Sequence, residues 1–283
     1  MKKIWKWLSI LLIGVSIVSL SGCQSVTQRA NTENTWDKIK AKKEVVIGLD
    51  DSFVPFGFET KSGKITGYDI DLARAVFKQY GIKVNFQPID WSMNVTELRN
   101  GTIDLIWNGL TITSERKKNI AFSEPYLYND QELVTLKSSN IKSFNDMKGK
   151  ELGTQTGSAE IISLDQQPNL LKNKIKNKQP ILYDSFTDAF IDLNAKRVSG
   201  LLIDSTYANY YMQHSGANHQ YSTYVGAFPK SSFAVGMRKG DVTLRQKVNA
   251  ALNKMAKDGQ LKQITKKWFG DKYDSPLLNK YDK

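Results

Sequence analysis

The sequence predicts an α/β protein of two lobes, each a mostly parallel sheet with flanking helices, joined by two hinge segments around a cleft. Three observations predict it. Short β-branched runs alternate with helix-period segments, the pattern of parallel strands covered by helices. A βαβαβ unit running from "EVVIGLD" to "TIDLIWNG" is followed by a similar one from "KELGTQTG" to "GLLIDS". A further strand pattern, "SFAVGMRKG", comes after the second unit, where it most simply returns to the first lobe. Two lobes sharing two crossings form a hinge, and a cleft between lobes is a favoured ligand site.

The elements follow in order. "EVVIGLD" reads as a buried strand. "GYDIDLARAVFKQYG" puts Ile70, Ala73, Val76, Phe77 and Tyr80 on one helical face and closes on Gly81. "KVNFQPI" is a strand, "MNVTELRNG" a short helix ending at Gly101, and "TIDLIWNG" a strand. "QELVTLKSS" is an extended run expected to cross between lobes. In the second unit "KELGTQTG", "PILYDS" and "GLLIDS" are strands, "SAEIISLDQ" starts a helix, and "SFTDAFIDLNAKR" is a helix with Ser185 and Asp188 set as a capping box. "DVTLRQKVNAALNKMAKDG" and "QLKQITKKWFG" are closing helices. The expected division is a leader over 1–22, a modified N-terminus and tether over 23–43, a first lobe over 44–134, a second over 135–225, the return over 226–272 and a tail over 273–283.

The leader carries a basic start, "MKKIWKW", and an apolar stretch of 13 residues, "LSILLIGVSIVSL". Such a run is too short for the ~30 Å bilayer core and fits a signal peptide. Cys23, the one cysteine, follows in "LSGC", which resembles the bacterial lipobox. That resemblance implies cleavage before Cys23, lipidation of its sulfur, and a cell-membrane location on the extracytoplasmic face of a Gram-positive envelope. "QSVTQRANTEN" is polar and patternless, so it reads as a flexible tether of roughly 18 Å. The net charge of +12 would suit nucleic acid, but the lysines are scattered, without an interleaved aromatic stripe, and the chain is exported. No nucleic-acid partner is expected.

Ligands of open parallel sheets bind beyond the carboxyl ends of the strands. The ends here supply one arginine, several carboxylates, hydroxyls and amides, and two aromatics, a set that suits a small zwitterion. Arg116 follows "NGLT" (Asn108, Gly109, Leu110, Thr111), whose backbone N–H groups can face the same anion; a guanidinium pairs two N–H groups with one carboxylate. It can equally be a surface residue of "ERKK". Asp204 ends an apolar strand and can take an ammonium or cap the next helix. Phe53 and Trp91 can wall a side chain or pack in the core. Asp50 lies where its strand opens, with Asp51 pointing the other way. His214 and His219 share one polar loop without a cysteine partner, so neither a metal nor a cofactor is expected.

Together "GLDDSFVPFGF", "GKITGYDIDLARAV", "GTIDLIWNGLTITSERKKNIAFSEPY", "MKGKELGTQTGSAE", "VGMRKGD" and "DGQLKQITKKWFG" resemble the amino-acid-binding proteins of polar amino-acid ABC importers, over nearly all of residues 40–270. The resemblance implies a periplasmic-binding-protein-like clamshell, monomeric, that delivers an amino acid to a permease. It implies that Arg116 pairs with the α-carboxylate, assisted by Thr111 and Ser158. Asp204 and the Gly109 carbonyl would hold the α-ammonium, while Phe53, Trp91, Asp50 and Gln155 would surround the side chain. Glutamine-like and basic ligands are favoured, with cystine open. Ser199 stands where the family often has an aspartate, and Ala195 in its usual glycine neighbourhood. The competing expectation is a carboxylic-acid dehydratase on the same fold, which needs a general acid; Glu124 and Glu160 are the nearest candidates. A sensor domain would need a membrane span and a signalling domain beside it.

Overall fold

In a computed structural model the chain is described over residues 25–281, apart from 217, 227 and 272. The leader and Cys23 lie outside the described residues. The first sheet runs Lys83–Pro88, Glu44–Leu49, Leu105–Ile106, Gly236–Met237, Ala121–Phe122. Its first three strands are parallel, with Glu44 beside Lys83 and Ile47 beside Leu105. The late strand does return here, antiparallel, with Gly236 opposite Ile106. The second sheet runs Ile181–Tyr183, Leu152–Gln155, Gly200–Asp204, Gln131–Leu136, Tyr221–Tyr224, again three parallel strands followed by antiparallel ones. The expected "TIDLIWNG" strand keeps only two ladder residues, because the chain turns at Trp107 into the loop that builds the site.

The helices form where the apolar period demands. Ile70, Ala73, Val76 and Phe77 of helix Tyr68–Lys78 are fully buried. Helix Phe186–Asn194 starts at Ser185, whose Oγ accepts the Asp188 N–H at 3.1 Å. At the departure near Ser199, Lys196 takes φ 59°, a turn that favours glycine.

Two expectations need correction. The crossing lies upstream of "QELVTLKSS": Leu127–Asn129 pairs antiparallel with Ser231–Phe233, and Gln131–Leu136 is an inner strand of the second sheet, not a linker. All six of its residues are buried, because it separates two cores. Leu133 packs with Leu152, Leu164 and Leu202, while Val134 and Leu136 belong to the core around Phe190 and Tyr207.

The polar stretch after Cys23 is no free tether. Val26–Thr32 is a helix, with Ser25 Oγ accepting the Gln28 N–H at 3.2 Å, and Trp36–Lys42 is a second. Ala30, 1% exposed, lies on the first lobe, and its carbonyl accepts the Gly240 N–H at 3.1 Å. Asp241 Oδ1 accepts the Thr35 N–H at 2.7 Å, and its other oxygen takes Arg238 Nε at 2.8 Å. These ties come from residues some 200 positions later and from backbone groups, so no apolar period announces them.

A Cβ on Gly240 would stand 2.5 Å from the Glu33 carbonyl oxygen. Gly240→Ala is therefore expected to push the two N-terminal helices off the first lobe, costing about 1–3 kcal/mol. Urea unfolding reads the cost, and faster proteolysis within residues 25–43 reads its place. An unchanged midpoint and cleavage rate would contradict it.

Candidate functional site

The carboxyl ends of both sheets point at one another, so the strand-end residues meet in the cleft. On the first lobe Asn108 holds its neighbours instead of facing the cleft: its Oδ1 accepts the Asp50 N–H at 3.0 Å. Gly109 has φ +58°, and a Cβ there would lie 2.5 Å from the Phe53 ring, so the turn admits glycine alone. The Gly109 N–H, expected at an anion, is taken by Asp69 Oδ2 at 2.7 Å. Asp69 also accepts the Tyr126 hydroxyl at 2.8 Å. It thereby ties the start of helix Tyr68–Lys78 to the turn that carries Thr111.

Arg116 sits on helix Ser114–Asn119, where Thr113 Oγ1 accepts its backbone N–H. Lys117 and Lys118 face solvent, but Arg116 is only 5% exposed, which removes the surface alternative. Its Nη1 donates to the Thr111 carbonyl at 2.9 Å, and its Nη2 donates to the Gly157 carbonyl of the second lobe at 3.0 Å. Burial lowers its pKa to about 10, against the pull of Glu160 and Asp204, so it stays charged at neutral pH.

Asp204, 5% exposed, occupies the cap position of helix Ser205–His214 yet makes no capping bond. Its Oδ1 instead accepts the Asn129 amide. Burial, and then the nearby Glu160, push it well above the ordinary carboxylate range. Gln155 Nε2 donates across the cleft to Asp50 Oδ2 at 2.6 Å and to the Asp184 carbonyl at 2.9 Å. Asp50 is also raised, by burial above all, against hydrogen bonds from Ser52 and Gln155. Ser158 Oγ is buried without a hydrogen-bond partner among the described residues. Phe53 reaches over to Tyr207, ring centres 5.2 Å apart, and to Phe186 at 6.1 Å.

The lobes thus touch across the cleft, and eight of the ten predicted residues line one small cavity there. Asn108 and Asp50 stand just behind the wall. A roomier groove on the hinge, between Tyr210 and Trp268, converges no buried charges of both signs. Sequence reasoning did not assign Glu160, Phe186, Gln131 or Asn129 to the site. Glu160 alone carried a signal, two positions after Ser158 at a helix start.

Residues 45–271 match the bacterial extracellular solute-binding proteins, family 3, and the chain belongs to that family. It is 30% identical over 261 residues to the L-cystine-binding protein TcyJ of Escherichia coli (strain K12), covering 92% of this chain and 94% of that one. Among solved structures it is similar to an ABC uptake transporter substrate-binding protein from Streptococcus pneumoniae with bound histidine, at 47% identity and a TM-score of 0.83, covering 84% of this chain and 97% of that one. It is also similar to a polar amino acid ABC uptake transporter substrate-binding protein from Streptococcus thermophilus, at 46% identity and a TM-score of 0.57, covering 89% and 95%.

Burial raises Asp69 from 3.8 to about 7. A raised folded-state value means the folded protein holds the proton longer, so stability from this group is complete below about pH 4 and is lost as pH climbs to about 7, on the order of 4 kcal/mol at most. Glu132, raised to about 8, acts with the same sign. Urea unfolding between pH 5 and 7.5 should show falling stability, with a shallower fall in Asp69→Asn. Equal slopes would mean that Asp69 does not titrate in this range.

Proposed function

We propose that the protein captures an amino acid outside the cytoplasm and hands it to the permease of an ABC importer. One observation carries this reading: a guanidinium, Arg116 on the first lobe, and a carboxyl group, Asp204 on the second, are buried at one cavity. They suit the α-carboxylate and α-ammonium of a free amino acid, with Thr111 and Ser158 beside the carboxylate and the Gly109 carbonyl near the ammonium. Phe53, Trp91, Asp50 and Gln155 then surround the side chain, which favours a glutamine-like or basic ligand; the streptococcal relative with bound histidine supports the basic end. The ligand bonds to both lobes, so it binds the closed form better and shifts the hinge. The two streptococcal structures, nearly equal in identity yet at TM-scores of 0.83 and 0.57, fit rigid lobes set at different angles. Cys23 is the proposed lipid attachment site, and the protein works as a monomer without cofactor or turnover. A dehydratase on this fold would instead convert a small carboxylic acid, with Glu160 as its acid.

A thermal-shift screen against the common amino acids tests the binding; saturation at 100 times Kd adds ~2.7 kcal/mol. Arg116→Ala is expected to fold and to lose on the order of 2–5 kcal/mol of affinity, because a desolvated charge is left unpaired. Asp204→Asn should weaken amino acids strongly and their deaminated analogues little. Unchanged calorimetric affinity in Arg116→Ala, or turnover of a carboxylic acid by the wild type, would overturn the reading.

A further inference from the structure

Asp204 ends strand Gly200–Asp204 and stands at the cap position of helix Ser205–His214, with the extended backbone of a cap, φ −61° and ψ 126°. Aspartate is among the strongest capping residues, because its carboxylate can accept an N–H of the first helical turn. Thr113 and Ser185 cap the helices that they precede. Asp204 makes no such bond. Its carboxyl lines the cavity instead, and Asn129 is the residue that bonds it there.

Asn129 is 2% exposed and ends strand Leu127–Asn129. Each end of its amide has a set partner. Oδ1 accepts the Thr206 hydroxyl at 3.3 Å, and Nδ2 donates to Asp204 Oδ1. Nδ2 also lies 3.4 Å from Ser231 Oγ, and that hydroxyl donates to the Asn129 carbonyl at 3.1 Å. A flipped amide would turn its oxygen on the carboxyl, so the partners fix its orientation. The start of the Asp204 helix is supplied from the same segment, since the Asp130 carbonyl accepts the Ser205 N–H at 2.8 Å. Burial disfavours the ionised form of Asp204, and the Asn129 amide works the other way.

We infer that Asn129 is a positioning residue, whose amide draws the Asp204 carboxyl off its own helix and holds it toward the cavity. This rests on the reading that the cavity takes an amino acid, whose ammonium Asp204 receives. Without the Asn129 amide the carboxyl swings onto the Thr206 or Tyr207 N–H and caps the helix, and the ammonium loses its partner.

A double-mutant cycle tests this, read by calorimetry with the tightest-binding of the common amino acids and cystine. Asn129→Leu keeps the branched shape and removes the amide. It should weaken that amino acid about tenfold or more, since a hydrogen bond to a charged group is lost. In an Asp204→Asn background, or with the deaminated analogue in place of the amino acid, it should cost less than about twofold, because it acts only through the carboxylate. A crystal structure of Asn129→Leu without ligand should show the Asp204 carboxyl on the Thr206 or Tyr207 N–H. If Asn129→Leu does not fold, Asn129→Ala takes its place with the same expectations. Equal losses in both backgrounds, or an Asp204 carboxyl that keeps its place without the amide, would overturn the inference and leave the receptor reading standing. Failure of every amino acid to bind the wild type would instead remove the receptor reading, and this role with it.

Discussion

A guanidinium taken out of water must be surrounded by acceptors, and the site is organised around that need at Arg116. Its helix starts at Thr113, the turn before it presents the Thr111 carbonyl, and the Gly157 carbonyl arrives from the other lobe. Each acceptor is a backbone atom whose position depends on a distant element. Thr111 is set by the Gly109 turn, which Asp69 holds from the start of helix Tyr68–Lys78. Gly157 can pass close to Ser92 only because it has no Cβ, which would lie 2.6 Å from that residue's Cα. A single buried cation thereby couples the geometry of both lobes.

The carboxylates answer the same constraint from the opposite sign. Asp50, Asp204 and Glu160 are all buried, and each is raised chiefly by burial. They differ in their partners. Asp50 has the Ser52 amide and hydroxyl and the Gln155 amide, enough donors to support an ionised group. Asp204 has the Asn129 amide and faces the cavity, and one Glu160 oxygen has no donor at all among the described residues.

The hinge is economical in the same way. Leu127–Asn129 and Ser231–Phe233 form a two-stranded ribbon, and Asn129 reaches from it to Asp204. A group that bonds a cavity-facing carboxyl is thus part of the segment that joins the lobes. The docked N-terminal helices add a further constraint, since they leave only Gln24 and Ser25 between Cys23 and the first helix of the body.

The fold was legible because it rests on local patterns: alternating β-branched runs and 3.6-period faces, with Gly81 and Gly101 at helix ends. The strand-end rule then placed Arg116, Asp204, Phe53 and Trp91 in one cleft. The class of protein was legible too, since motifs such as "NGLTITSER" and "TGSAE" come from loops at those strand ends. Tertiary structure alone decided what depends on partners far along the chain. Gln131–Leu136 became an inner strand because two cores needed its two faces. The polar stretch after Cys23 became a docked helix because Gly240 and Asp241 receive it. Asn108 turned away from the cleft to hold Asp50, and Glu160 turned inward, since only packing determines which oxygen finds a donor.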